Sequence, residues 1–539
     1  MKKAGLLLIG LGLFLSLKSF CQKASKPNII LILADDMGYS DIGCFGSEVQ
    51  TPNLDKLAAS GVKFSQFYNN ARCCPSRAAL LTGLYPHQAG IGGMTDTHIP
   101  IPEYQGFFKD NTITLANALQ SAGYSTFMSG KWHVGEENGH WPKDYGFEES
   151  FAFINGASSY FDFKPYRNEN WPPGNKLKVV HNATEIDFGD STIYTTDLYT
   201  DNALQQIKNH KKDKPFFLYL AYTAPHWPMH ALPEDIAKYK GKYNEGWEAI
   251  RERRFEKLKK LGLIKPTNQL SEKFPVNRDW ESLSETGRNY EAKLMEVYAA
   301  MVDRLDQNIG RLLQTLETSS QLDNTLILFL SDNGGCSAGN LAIGKYAHPR
   351  FEADAEPGSP KSFTGYGKNW ANVSNTPFRQ FKSNIHEGGI AAPFIAFYPK
   401  KFQEGEIIHE PTHIVDIMPT LLEIGNAKYP KNYKGKTLQP YEGSSLVDLM
   451  KGEKKDLNRT LFFEHLGNAG LIEGKWKLVK NHNQPWELYN LEDDRSETND
   501  LAEESAVMLQ KLINKYEKWA AKNNVLSKEE VNKAIPFKF

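Results

Sequence analysis

Three unbroken apolar runs, far apart in the chain, do most to limit what it can fold into. They are Ile29-Ile30-Leu31-Ile32-Leu33, Phe216-Phe217-Leu218-Tyr219-Leu220-Ala221-Tyr222 and Thr325-Leu326-Ile327-Leu328-Phe329-Leu330. A strand with one face in water alternates apolar and polar residues. A run apolar at every position reads instead as a strand buried on both faces. Tyr124 to Met128 and Ala391 to Phe397 read as further strands. Tyr290 to Glu317 reads as a long amphipathic helix, since Leu294, Val297, Tyr298, Met301, Leu305, Ile309, Leu312 and Leu316 fall on one stripe. The expected fold class is α/β, with a large central sheet, mostly parallel or mixed, flanked by helices. At 539 residues the chain can bury a large core and form more than one domain.

What the runs end in points to a site. The first stops at Asp35-Asp36, and the third at Ser331-Asp332-Asn333-Gly334-Gly335. Open α/β sheets place their sites at the carboxyl ends of strands. One aspartate can cap the turn that follows; a second, adjacent one is left unexplained. By equivalent placement, Asp35, Asp36, Asp332 and Asn333 can surround one hard cation. Carboxylates with an amide oxygen suit Ca²⁺ or Mg²⁺, and no Cys-x-x-Cys pair argues for zinc. Lys131 and His133, in Ser129-Gly130-Lys131-Trp132-His133, and His226, in Ala224-Pro225-His226, follow strands on the same side. Lys382 precedes its strand, so periodicity places it less firmly. His140, His230 and His386 are candidate pocket walls.

The stretch Arg72-Cys73-Cys74-Pro75-Ser76-Arg77-Ala78-Ala79-Leu80-Leu81-Thr82-Gly83 reads as a loop turning into a helix. Pro75 suits the first turn and Gly83 the position past the end. Cys73 then stands at the positive end of the helix with Arg77 a turn further on, an anion-binding arrangement. The cysteines alone read as ordinary buried thiols. The whole string, C-x-P-S-R with its Leu-Thr-Gly ending, resembles the signature of the type I sulfatases.

In that family the first cysteine of the motif is oxidised by a separate maturation enzyme, formylglycine-generating or anaerobic, to formylglycine, an aldehyde. Cys73 holds that place and Cys74 the variable one. The family's metal ligands match Asp35, Asp36, Asp332, Asn333 and Cys73, and its Gly-Lys-Trp-His pair and late lysine match Lys131, His133 and Lys382. The resemblance implies an alkaline-phosphatase-like sheet and hydrolysis of a sulfate ester. One hydroxyl of the aldehyde hydrate attacks sulfur and the alcohol leaves; the other then loses its proton, expels sulfate and restores the aldehyde. It further implies that His133 handles that proton, that Arg77 and Lys131 hold the hydrate and sulfate oxygens, and that His226 and Lys382 assist the departing oxygen. Ala224-Pro225-His226-Trp227-Pro228-Met229-His230, Gly246-Trp247-Glu248-Ala249 and Asn375-Thr376-Pro377-Phe378-Arg379 look closest to the calcium-dependent bacterial arylsulfatases. The competing reading is a phosphomonoester, phosphodiester or phosphonate hydrolase of the same architecture, which often uses a Thr or Ser nucleophile and two zincs.

A net charge of −1 offers no global field for nucleic acid, so an anionic substrate must be met by a local basic site. Lys2, Lys3 and apolar Ala4 to Leu17, with Ser19 and Cys21 before a cut, read as an export signal over residues 1–21. Cys21 is alternatively a lipid-anchor cysteine, although Phe20 before it argues against that. The expected destination is the periplasm or the exterior. Cys44, Cys73, Cys74 and Cys336 are too few for a disulfide framework, and Cys44 with Cys336 is a pairing without support. The catalytic domain is expected over 22–449, with the charged segment His230 to Tyr290 an insertion over part of the site's rim, Glu248 to Lys260 within it a solvated helix, and Ala338 to Asn375 a long loop near the site. Residues 450–539 are expected to form a smaller α+β unit. Thr460 to His465, Gly470 to Lys480 and Trp486 to Tyr489 supply its antiparallel strands, and Leu501 to Ala521 its helix. Trp132, Trp141, Trp171, Trp227, Tyr160 and Phe161 are divided between core and a platform for a sugar or aryl ring.

Overall fold

The apolar runs become neighbouring strands. The computed structural model describes residues 26–97, 99–169, 176–211, 213–273, 278–342, 347–399 and 401–535. The expected export signal, with Lys2, Lys3 and Cys21, and also Trp171, lie outside them. The main sheet is built from β1 (Asn28–Ala34), β2 (Val62–Tyr68), β3 (Ser125–Lys131), β4 (Glu149–Phe153), β5 (Val179–His181), β6 (Thr184–Glu185), β7 (Phe216–Ala221), β8 (Thr325–Ser331), β9 (Ala391–Phe397), β10 (Ile407–Ile408) and β11 (Thr412–His413). Their order is β10-β2-β9-β8-β1-β7-β3-β4-β5-β6, with β11 also beside β2. The strands from β8 to β4 run parallel; β9 is antiparallel to both β8 and β2.

Register is what gathers the site. Ala34 pairs with Ser331, Leu33 with Ala221, and Gly130 with Ala221. The carboxyl ends of β8, β1, β7 and β3 are therefore nearly flush. Because β9 runs the other way, pairing Leu330 with Phe394, the segment entering it arrives at the same edge. A loop before an antiparallel strand and loops after parallel strands thus share one rim, which places Lys382 where strand periodicity alone did not.

Alternate residues of β1 enter different cores, as expected of a strand covered on both faces. Ile30, Ile32 and Ala34 pack with the helices Pro52–Ala59, Thr195–Asn209 and Glu285–Thr318. Ile29, Leu31 and Leu33 pack with Cys73–Thr82, Leu115–Ser121 and Ile417–Ile424. Each such aliphatic side chain contributes about 1.5–3 kcal/mol on burial. The long helix starts earlier than its apolar stripe, at Glu285, because Ser284 caps it by accepting the Gly287 N–H.

Near the C-terminus β12 (Asn432–Tyr433) and β13 (Lys436–Thr437) pair alone. β14 (Thr460–His465), β15 (Asn468–Glu473), β16 (Trp476–Lys480) and β17 (Glu487–Asn490) form an antiparallel sheet. The expected single strand Gly470 to Lys480 is broken into two by the turn at Gly474, whose φ of 57° suits glycine. The helix Ala506–Lys522 covers one face of this sheet through Leu512 and Tyr516. From the other face Phe463, Ile472, Val479 and Tyr489 join the main core.

The helix Gly246–Lys260 carries the expected solvated face, with Glu248, Glu252, Arg253, Glu256, Lys257 and Lys260 exposed, but it also has a buried one. Trp247, Ile250, Phe255 and Leu258 are buried, and Arg254 is buried between Asp41 and Glu48, each at 2.8 Å. Charges paired inward look the same in sequence as charges facing water. No described residue of His230–Tyr290 lines the cleft at the strand ends. The expected loop from Ala338 ends in a short helix, Gly367–Ser374. No helix of the described residues is long and apolar enough to cross a membrane.

Candidate active site

The residues singled out in the sequence converge at the flush strand ends. Asp35 and Asp36 leave β1, Asp332 and Asn333 leave β8, and Cys73 opens the helix Cys73–Thr82. That helix ends as expected, with Gly83 left-handed at φ 69° and its N–H on the Ala79 carbonyl. One carboxylate oxygen of Asp35, one of Asp36, the Cys73 Sγ and a ring nitrogen of His226 all lie within 4.8 Å of one another. The backbone around them is unusual. Asp36 (φ 64°), Ala71 (57°), His133 (54°), Gln380 (66°) and Ser383 (79°) are all left-handed without being glycine. Each such residue costs about 1–3 kcal/mol and persists where its surroundings impose it, which happens most at functional sites.

The polar contacts sort the carboxylate oxygens into held and free. Lys131 Nζ donates to Asp35 Oδ2 at 2.6 Å. The Arg77 guanidinium donates to Asp332 Oδ2 through Nε at 3.1 Å and places Nη2 at 3.0 Å from the same oxygen. Its Nη1 donates to the Lys131 carbonyl at 2.8 Å. Asn333 Nδ2 donates to Asp36 Oδ1 at 2.7 Å, and Lys382 Nζ reaches the same oxygen at 2.5 Å. His226 Nε2 stands 3.4 Å from Asp36 Oδ2. Asp35 Oδ1 and Asn333 Oδ1 are buried without a hydrogen-bond partner. A buried acceptor left unpaired costs about 1–3 kcal/mol, more if charged, so two, on residues that follow the paired strands β1 and β8, need an explanation. Hard oxygen donors of this kind fit a Ca²⁺- or Mg²⁺-type cation.

Arg77 and Lys131 differ from their expected place. Both are fully buried, neither lines the cleft, and both hold carboxylates rather than facing a substrate. Two aspartates and a third behind them draw the nearest buried cations onto themselves. Arg72, His133, His226, Trp227, Cys336 and Lys382 line the cleft in front of Cys73. Burial pushes the Cys73 thiol up, but Lys131 and Lys382 overcome this and hold it well below its ordinary value. Burial, with Lys131 and Arg77, keeps the His133 ring well below its usual pKa, in its neutral form.

Several groups escaped the sequence reading. Cys74 Sγ lies 3.2 Å from His133 Nε2, and burial beside Cys73 lifts its own pKa to about 12, so it faces the ring as a thiol. Glu136 lines the outer cleft, taking hydrogen bonds from the Thr95 hydroxyl (2.8 Å) and the Asn155 amide (2.9 Å), and burial raises it to about 7. Cys74 is the second residue of the helix Cys73–Thr82, where the motif leaves its identity open; Glu136 stands in a loop that nothing in local spacing marks.

The aromatic candidates divide. Trp132, Trp141 and Tyr160 are core, whereas Trp227 lines the cleft with its ring 6.1 Å from that of Tyr166. Phe161 packs away from it, against Tyr194 and the His230 ring. None of the candidate wall histidines lines the cleft. His140 stacks on Phe107, His230 is bonded to the Tyr160 N–H and the Ser362 carbonyl, and His386 pairs with Glu487 at 3.2 Å. Cys44, Cys73, Cys74 and Cys336 are all free thiols, so Cys44 and Cys336 are unpaired with each other.

The chain is similar to known proteins over most of its length. A sulfatase family model matches residues 27–427, and one for the C-terminal part of N-sulphoglucosamine sulphohydrolase matches 379–522. An uncharacterized sulfatase of Schizosaccharomyces pombe is 35% identical across 94% of this chain and 95% of its own. An arylsulfatase of Klebsiella aerogenes is 37% identical across 78% of this chain and 91% of its own. Among solved structures, Ps i-CgsB in complex with k-i-k-neocarrahexaose is 29% identical, with a TM-score of 0.67, covering 93% of this chain and 94% of that one. The sequence motif at Cys73, the mixed sheet and these matches agree, and the chain belongs to the sulfatases as a type I member, an enzyme that hydrolyses sulfate esters.

Proposed function

We propose that the enzyme releases inorganic sulfate from a sulfated sugar or an aryl sulfate, with Cys73 converted to formylglycine and one Ca²⁺ as cofactor. The observation that carries this is the pair of buried unpartnered oxygens, Asp35 Oδ1 and Asn333 Oδ1, on residues that follow the paired strands β1 and β8, with Asp35, Asp36, Cys73 and His226 gathered within 4.8 Å. Asp35, Asp36, Asp332, Asn333 and the converted Cys73 would hold the ion, which when bound makes the nucleophilic hydroxyl more acidic and offsets the sulfate charge. Arg77 and Lys131 keep the aspartates oriented and balance their charge. His226 and Lys382, on the cleft side of Asp36, receive the sulfate and hand a proton to the departing oxygen. Neutral His133 takes the proton of the second hydroxyl, with the Cys74 thiol fixing its ring. Trp227 gives a flat face for a ring next to the sulfate; the solved relative with a bound oligosaccharide supports the choice of a sugar. A maturation enzyme that oxidises Cys73, and export to the periplasm or beyond, complete the proposal.

The test is sulfate release from 4-nitrophenyl sulfate by enzyme co-produced with a maturation enzyme, beside the intact mass of the Cys73 peptide. Activity should rise with the fraction converted, and Cys73→Ala should have none. Chelation should stop turnover and also lower the melting temperature, with Ca²⁺ restoring both better than Mg²⁺. Activity independent of conversion, or a melting temperature unmoved by chelator, would sink this reading.

A further inference from the structure

The loop carrying Lys382 is fastened to the C-terminal sheet on both sides of that lysine. Gln380 and Ser383 are left-handed, so something outside the loop must impose its shape. The Asn468 side chain, at the start of β15, donates to the Ser383 carbonyl at 2.8 Å and accepts the His482 N–H at 2.9 Å. Next to it, Asn384 Nδ2 donates to Asn481 Oδ1 at 3.0 Å. Before the lysine, Arg379 Nη1 donates to the Tyr489 hydroxyl of β17 at 2.8 Å. After it, Glu387 is joined to fully buried Lys477 of β16 at 2.9 Å. From the main body the loop is held on its inner side: the Ser383 N–H donates to the Ala71 carbonyl at 2.8 Å and the Lys382 N–H to that of Gly335 at 3.1 Å, Arg72 Nη1 donates to the Ser383 hydroxyl at 2.8 Å, Asn375 Nδ2 to the Gln380 carbonyl at 3.3 Å, and the Tyr68 hydroxyl of β2 to Glu387 at 3.0 Å.

We infer that Asn468 is a positioning residue for Lys382, and that the C-terminal sheet thereby sets where this ammonium stands relative to the departing oxygen. This rests on the proposed role of Lys382 as proton donor. Asn468 does not line the cleft, so it acts through the Ser383 peptide. An ammonium can attract a bound anion across a small displacement. Proton transfer needs about 2.6–3.2 Å between heavy atoms, and a misplacement of about 1 Å can cost about a hundredfold. Loosening the loop should therefore slow turnover more than it weakens binding, and most for leaving groups that need a proton.

The experiment compares 4-nitrophenyl, 4-methylumbelliferyl and phenyl sulfate on fully converted enzyme. Asn468→Ala should lower kcat for phenyl sulfate about tenfold or more, progressively less for the more acidic phenols, with KM within about threefold. In a Lys382→Ala background the same substitution should add no loss that depends on the leaving group. A loss equal for all three substrates, or one fully retained without Lys382, overturns the inference. Should Asn468→Ala not fold, Asn481→Ala, which removes the adjoining bond, carries the same expectations. If Lys382→Ala itself turns over phenyl sulfate normally, the donor role and the inference fall together. A slow Lys382→Ala beside a flat response in Asn468→Ala overturns the positioning alone.

Discussion

His226 follows β7 and Lys382 precedes β9, far apart in the chain, and the two meet on one side chain. Lys382 Nζ touches Asp36 Oδ1, and His226 Nε2 approaches Oδ2. A donor fixed where negative charge grows is worth about a hundredfold in turnover or more. His226→Ala and Lys382→Ala should each lose at least that much kcat on an aryl sulfate, and near-normal turnover of either variant would remove it from the machinery. The residue types and their places after strands were legible for Asp35, Asp36, Lys131, His133 and His226. Which atom each one faces was not. Arg77 looked like an anion-binding group at a helix start, yet its guanidinium is spent on Asp332 and the Lys131 carbonyl. Three carboxylates around one point bind cations more strongly than a short helix end can present them.

At the scale of elements, close approach between strands decides more than composition does. Gly130 in β3 has φ 117°, and a Cβ there would lie 1.9 Å from the Ala221 carbonyl oxygen of β7. Gly130→Ala must then combine backbone strain with a clash against main chain, which together cost about 3 kcal/mol or more. The expected result is a large fall in melting temperature and loss of sulfatase activity, since Lys131 and His133 follow directly. A variant that melts and turns over like the parent would show that β3 and β7 can move apart. The strands themselves were readable because continuous apolar runs are a local signal. On the helix Gly246–Lys260 most charges face water, as its composition suggests, but Arg254 turns inward to Asp41 and Glu48, some two hundred positions earlier in the chain, which no window on the helix contains.

Across the whole molecule, ionic contacts tie the C-terminal sheet to the segment that carries Lys382. Glu487 on β17 meets Arg379 Nη1 at 3.1 Å, His386 Nε2 at 3.2 Å and the Tyr489 hydroxyl. Burial alone would raise its carboxyl, but these three donors prevail and hold it at about 2 instead of 4.5. The folded state therefore keeps this carboxylate ionised where the unfolded chain takes up a proton. Its stabilisation is present above pH 4.5 and is lost as pH falls toward 2. Glu487→Gln should flatten that part of the acid limb, read as the urea midpoint against pH. Parallel acid limbs for variant and parent would place the loss of stability elsewhere.

Without a fold, the chain already declares a buried α/β sheet, the cysteine motif, hard oxygen side chains after two of its strands, and antiparallel strands near its end. These depend on neighbouring residues: on period, on spacing, and on the chemistry of side chains that follow one another. Only the tertiary structure decided that the ends of β8, β1, β7 and β3 are flush, that β9 delivers Lys382 to the same rim, and that Asn468 holds the peptide beside it. Those outcomes depend on strand register and on pairings between residues hundreds of positions apart, where many partners of equal chemistry compete and packing chooses among them.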